Sequence, residues 1–343
     1  MSDDRIDDGS DQGRPPAMPP EAEPGPPALA VPPPQPMDLG QMVDAVIGLY
    51  RQRPGLLLGL CAVLQIPAAI IGGLLLLPVP GLMRDMLGFD PFDPTLTTMP
   101  TSLPTPTDEQ LLGVLWPVSL ATLVTTIASA LTTTAVAVAV RQLRISAAAS
   151  IGGAYGVVLR RLLAALGGLA ASTIALSGLL VLGVAGFALL LGLAPGATGG
   201  GPLAFAAVLL LVAVIVLAVF ISIRWTFWPQ AVVLDGAGPL GSLGRSWRII
   251  AGATWRVLGY VLLFGLAAGI LSGLLAQLGL IVVDTVAPLL PEPVEVGLTF
   301  TVSVVTSLLL APIVPVAMTL LYLDLRIRRG ERLDAAPPIG SPS

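Results

Sequence analysis

The sequence predicts an all-α integral membrane protein, with six transmembrane helices and three short amphipathic helices on the cytoplasmic side. Three observations predict it. Of the 343 residues, 55% are hydrophobic and 11% are charged, whereas a soluble domain keeps about a quarter of its residues charged. Six apolar stretches reach the ~20 residues that a helix needs to cross a bilayer. All seventeen basic residues are arginine, and they segregate to alternate connections between those stretches.

Residues 1–36 are acidic and then proline-rich, with almost no large apolar side chain. Such a segment cannot bury enough surface to offset its ordering entropy and is expected to be a disordered cytoplasmic tail. Residues 37–55 then place Leu39, Val43, Val46, Ile47 and Tyr50 at helical spacing, followed by Arg51 and Arg53 and the first span, 55–77. The connection 78–112 is the longest on the external side. Its "DPFDPT" at 90–95 reads as turn-forming Asp-Pro rather than as a metal site. The second span, 113–140, ends on Arg141 and Arg144. Residues 144–163 repeat the earlier pattern, with Ile145, Ile151, Tyr155 and Val158 followed by Arg160 and Arg161. Spans 162–193 and 203–227 follow, joined by a tight turn.

Residues 238–256, "GPLGSLGRSWRIIAGATWR", form the third copy. On a helical wheel, Leu240, Leu243, Trp247 and Ile250 occupy about 140–220°, and Arg245, Arg248 and Arg256 cluster opposite them. A helix with those two faces is expected to lie in the headgroup plane, with Trp247, Trp255 and the arginines at the interface. The bland alternative is a set of loops made basic by topology alone, or arginines that partner acids such as Asp235 and Asp324. The fifth span, 257–283, carries Gly265, Gly269 and Gly273, whose spacing predicts close packing inside the bundle, or else oligomerisation. The sixth, 296–322, holds Pro312 and Pro315, so a kink or break is expected there. The membrane domain thus runs over 37–329, as three units of one short helix and two spans, and 330–343 is expected to be a second disordered tail.

Orientation follows from the arginines. Both flanks of the domain and the second and fourth connections are arginine-rich. The odd connections hold Arg84 alone among eight acids. The expected topology is multi-pass in the cell membrane, with both termini cytoplasmic.

The stretch from Asp235 to Gly259 resembles a bacterial multi-pass family named after the membrane domain of certain glycerophosphoryl diester phosphodiesterases. The likeness rests on Asp235-Gly236, Arg245-Ser246-Trp247, Gly252 and Trp255-Arg256-Val257-Leu258-Gly259. Asp44, Tyr50 and Arg51 near the start, and the closing "LLYLDLRIRRGERLD", are also similar. What the resemblance implies is a membrane module of undefined activity, since the phosphodiesterase chemistry belongs to a separate histidine-containing soluble domain.

The residues point to no catalytic, cofactor or metal site. There is no histidine, which excludes histidine-based acid–base chemistry and metal ligation. The lone Cys61 lies in an apolar run and excludes an intrachain disulfide. Within the spans only Arg224 is charged, near a span end beside Trp225, where snorkelling accounts for it. Gln65, Gln277 and the threonines of 122–134 read as helix–helix hydrogen-bonding groups. The expected function is non-enzymatic: binding anionic inner-leaflet lipid through Tyr50, Arg51, Arg53, Arg245, Trp247, Arg248, Trp255 and Arg256, or organising protein partners or a second copy, with no nucleic acid. The alternative is a permease-like protein with a site at the proline-broken sixth span.

Overall fold

The computed structural model describes residues 36–87, 107–144, 149–193, 201–289 and 291–331. Residues 1–35, 90–95, 194–200 and 332–343 lie outside these, and with them the expectations of disorder, of an Asp-Pro turn and of a tight turn between the third and fourth spans.

Twelve α-helices follow one another, with no strand among the described residues: α1 (Leu39–Gln52), α2 (Pro54–Leu76), α3 (Val79–Leu87), α4 (Asp108–Arg144), α5 (Ile151–Arg160), α6 (Leu162–Gly192), α7 (Pro202–Arg224), α8 (Trp228–Leu234), α9 (Pro239–Ile250), α10 (Thr254–Val286), α11 (Glu292–Leu310) and α12 (Ile313–Arg328). Six stretches are long and apolar enough to cross a membrane: Pro54–Leu87, Asp108–Arg144, Leu162–Gly192, Pro202–Leu234, Thr254–Leu289 and Val294–Arg328. The starts of the helices follow local chemistry. Asp38 and Gln41 close a capping box on α1, and prolines at the first turns of α2, α7 and α9 sit where a missing N–H costs nothing.

Two features differ from the sequence expectation, and a third, the break at Pro312, agrees with it. The connection after the first span is partly helical, because α3 follows α2 almost directly and α4 begins at Asp108. The fourth span does not run unbroken to residue 227. It ends at Arg224 and resumes as α8, with Pro229 unable to donate to Trp225 and the Trp228 N–H taking that carbonyl at 3.1 Å instead. The sixth span breaks between Leu310 and Ile313, at Pro312, into α11 and α12.

The spans form a closed ring. α2 packs on α4, α4 on α6, α6 on α7, α7 on α10, α10 on α11, and α11 returns to α2. The short helices obey a cyclic rule: each packs on the end of the preceding unit's second span. α5 packs on α4 and α9 on α8, while α1, first in the chain, packs on α12, last in the chain. Each also buries a pair four residues apart, Met42 and Val46, Ala154 and Val158, Ser242 and Ser246. The core lies at this one end, where 134–140 of α4, all of α8 and 316–326 of α12 are buried. Elsewhere the spans turn leucine, valine and isoleucine outward, as a helix facing hydrocarbon does.

The fifth-span glycines correct an expectation. A Cβ built at Gly265, Gly269 or Gly273 meets nothing within 4 Å, so within one chain they pack against no helix. Close approach is made by other glycines. A Cβ at Gly183 of α6 would lie 2.5 Å from Val214 of α7, one at Gly168 would lie 2.9 Å from Trp228, and one at Gly73 would lie 2.9 Å from Phe300.

Candidate functional site at the arginine-rich end

Two carboxylates organise the end of the bundle where the short helices gather. Asp235 closes α8. Gly236 follows with φ +70°, a conformation that glycine adopts without strain, and its carbonyl accepts from Arg161 Nη1 at 3.1 Å. The turn swings the chain into α9 and brings Arg245 back. Arg245 Nε donates to Asp235 Oδ2 at 2.7 Å, and the Tyr322 hydroxyl of α12 donates to the same oxygen at 2.6 Å. Arg326 Nη1 lies 3.0 Å from the other oxygen, Oδ1, as an ion pair outside hydrogen-bond alignment. Glu331 completes the circuit, accepting from Arg326 Nε at 3.0 Å and from Arg245 Nη2. Two arginines and two carboxylates thus alternate in a closed ring. Burial opposes the Arg245 charge, but hydrogen bonds to Asp235 and Glu331 more than offset it and raise its pKa above the ordinary guanidinium value. Partial burial alone would raise the Glu331 carboxyl, yet Arg245 and Arg326 hold it below its ordinary value.

Asp324 is the second centre, with its side chain 0% exposed. It accepts from the backbone N–H of Met37 at 2.7 Å and from Arg328 Nε at 2.8 Å, and Arg256 Nη2 lies 3.4 Å away. The Met37 carbonyl in turn accepts from Arg256 Nη2 at 3.0 Å and Arg328 Nη2 at 2.9 Å. Both polar groups of one peptide residue are therefore clamped by the last helix and the fifth span. Each carboxylate is paired with guanidinium charge, as burial of a charge requires, with only Asp235 Oδ1 left without an aligned hydrogen bond.

Two hydroxyls close the broken spans. Ser246 of α9 accepts from the Phe227 N–H at 3.1 Å and donates to the Arg224 carbonyl at 2.8 Å, filling the gap between α7 and α8. The Tyr50 hydroxyl donates to the Leu309 carbonyl at 2.9 Å, beside the break before α12. Burial, with Cys61 nearby, raises the Tyr50 phenol above its ordinary value.

The lipid-facing set read from sequence therefore divides. Arg245 and Arg256 turn inward to the carboxylates and Tyr50 to a backbone carbonyl, which corrects the expectation that they meet headgroups. The correction has a physical cause: α9 buries Ser242, Leu243, Ser246, Ile249 and Ile250 against protein and leaves Leu240 and Trp247 outward. Trp247 meets Phe220 edge-on at 6.0 Å, and Arg224 lies 5.0 Å above its ring. Arg51, Arg53 and Arg248 remain exposed, and Trp255 is 84% exposed. The residues missed were Tyr322, Arg326 and Glu331. One signal was present: "AVVLD" and "LLYLD" each end a wholly apolar run on a carboxylate, which in such a place must find a cation. Among the described residues no cluster of three or more histidine, cysteine or acidic side chains is placed to hold a metal ion.

Residues 37–325 match the family model described as Domain of unknown function (DUF7847). No curated protein matches, and no solved structure matches.

Proposed function

The chain belongs to this family of domains of unknown function, and we propose that it is a non-enzymatic membrane module whose arginine-rich end lies at the cytoplasmic leaflet of the cell membrane and binds anionic lipid there. One observation carries the reading. After the ion-pair network has taken up Arg245, Arg256, Arg326 and Arg328, four exposed arginines on or beside the short helices, Arg51, Arg53, Arg160 and Arg248, have no acidic partner among the described residues. They sit beside outward apolar side chains, Ile47, Leu159, Leu163 and Trp255. Cations next to apolar groups that face outward suit a phosphate-lined interface.

The resemblance to the membrane domain named after glycerophosphoryl diester phosphodiesterases is supported by where its residues fall. Asp235, Gly236, Arg245, Ser246, Arg256, Tyr322 and Arg326 all belong to the network and the helix breaks it closes. Such residues are fold determinants on this reading, and ligand binding falls to the outer rim. Beside the break in the sixth span, on which a permease reading rests, the Tyr50 hydroxyl takes up the Leu309 carbonyl.

The test uses the full chain in nanodiscs. Thermal stability in discs containing phosphatidylglycerol should exceed that in phosphatidylcholine discs, by an amount that shrinks with salt, since each basic residue near an anionic surface contributes about 1 kcal/mol. Replacing Arg51, Arg53, Arg160 and Arg248 with glutamine should remove the difference. Equal stability of the parent chain in the two discs would overturn the proposal.

A further inference from the structure

Between α4 and α6, where the first unit meets the second, lies a cleft of about 760 Å³. That volume is within the roughly 300–1,000 Å³ of small-molecule sites. The cleft is walled by leucine, isoleucine, valine and alanine, and by five hydroxyls: Ser119, Thr122 and Thr126 from α4, Thr173 and Ser177 from α6. No charged side chain lines it. A hydroxyl on a helix in hydrocarbon ordinarily bonds a carbonyl of its own preceding turn. Thr122 does so with Val118 at 2.8 Å, as do Thr125, Thr133, Ser222, Thr285, Thr301 and Ser303 elsewhere. Ser119, Thr126, Thr173 and Ser177 make no such bond and have no other hydrogen-bond partner among the described residues. Four free hydroxyl donors therefore line one apolar cleft.

A second cleft, about 260 Å³, occupies the corresponding boundary between α11 and α2, where the third unit meets the first. Gln65, Ser303 and Ser307 line it. A polar-lined cleft thus lies at two of the three boundaries between units, and the larger is at α4 and α6.

We propose that the α4–α6 cleft binds an uncharged, bilayer-dissolved molecule with a long apolar body and carbonyl acceptors, the chemistry of a quinone head on an apolar tail. The donors select carbonyl oxygens over plain hydrocarbon. The lack of a cation selects against a phosphate headgroup, and the apolar walls take the tail. Cleft residues 118–127 lie roughly 15–28 Å along α4 from its start at Asp108, at 1.5 Å per residue. That places the cleft at the depth of the acyl chains rather than of the headgroups.

Decylubiquinone titrated into the full chain, held in phosphatidylcholine nanodiscs, tests this by quenching of tryptophan emission. Quenching should saturate, and decylbenzene, which carries a tail of the same length without carbonyls, should not compete. The shape-conserving pair Thr126→Val and Thr173→Val should weaken binding about tenfold, as expected for loss of two neutral hydrogen bonds, while Thr285→Val, outside the cleft, should leave it unchanged. Ala170→Leu should fill the cleft and abolish saturation. Non-saturating quenching, competition by decylbenzene, or unchanged affinity in the valine pair would each overturn the proposal. The discs carry no anionic lipid, so the outcome does not depend on the arginine rim.

Discussion

At the residue scale, the outcome at Asp235 shows how one carboxylate sets the use of three other side chains. Arg245, Tyr322 and Arg326 all converge on it, from α9 and α12. Asp235→Asn keeps the shape but removes the charge, leaving two largely buried guanidinium groups with Glu331 as their only acid. The variant should lose about 2–4 kcal/mol of stability, read as a lowered melting temperature in detergent. A melting temperature equal to the parent's would mean that the ring is solvated and contributes nothing. Little of this ring was legible in advance. Asp235 and Arg245 are ten residues apart but on different helices, with the turn at Gly236 between them, and Glu331 is 86 residues from Arg245. No local periodicity carries such a pairing.

At the element scale, the three short helices were legible as elements but not in their orientation. Apolar spacing located α1, α5 and α9, and hydropathy located all six spans, because a bilayer imposes length and composition on every crossing. The buried face of α9 was misassigned, since its inward positions include Ser242 and Ser246. A serine that fills a helix break looks polar on a wheel, and only the break at residues 225–227 explains its place. The glycines teach the same lesson. GxxxG spacing marks a face able to pack closely, but whether another helix lies there depends on the ring order. Gly269→Leu should therefore leave the thermal stability of the isolated chain within about 0.5 kcal/mol of the parent. Gly183→Leu, driven against Val214, should lower it by about 1–3 kcal/mol. If the two losses were reversed, the order of packing around α6, α7 and α10 would be wrong.

At the scale of the whole molecule, the ring closes because its first and last elements meet. The Met37 N–H bonds Asp324, so both ends of the membrane domain lie at one face of the bundle whatever its orientation. The orientation proposed from the arginine distribution makes that face cytoplasmic. Reporters fused before Met37 and after Glu331 should give the same, cytoplasmic signal, and one inserted at Thr101 the opposite signal. A differing signal at the two termini would contradict the clamp, and an external signal at both would contradict the orientation alone. The even number of crossings was evident from hydropathy. The cyclic handing of each short helix to the preceding unit was not, because it depends on contacts that join α1 to α12.

That junction also places the domain on a clock. The residues that hold α1, Asp324 and Leu309, lie 287 and 259 positions downstream of the groups they bind. At about 5–20 residues per second, synthesis of the intervening chain takes roughly 13–57 s. Through that interval α1 exists without α12, on which it packs. Under the proposed lipid contact, Leu39, Ile47, Arg51 and Arg53 would give it a resting place at the bilayer surface. The ring can shut only once α12 has been made and inserted, so α1 must hold its place until then.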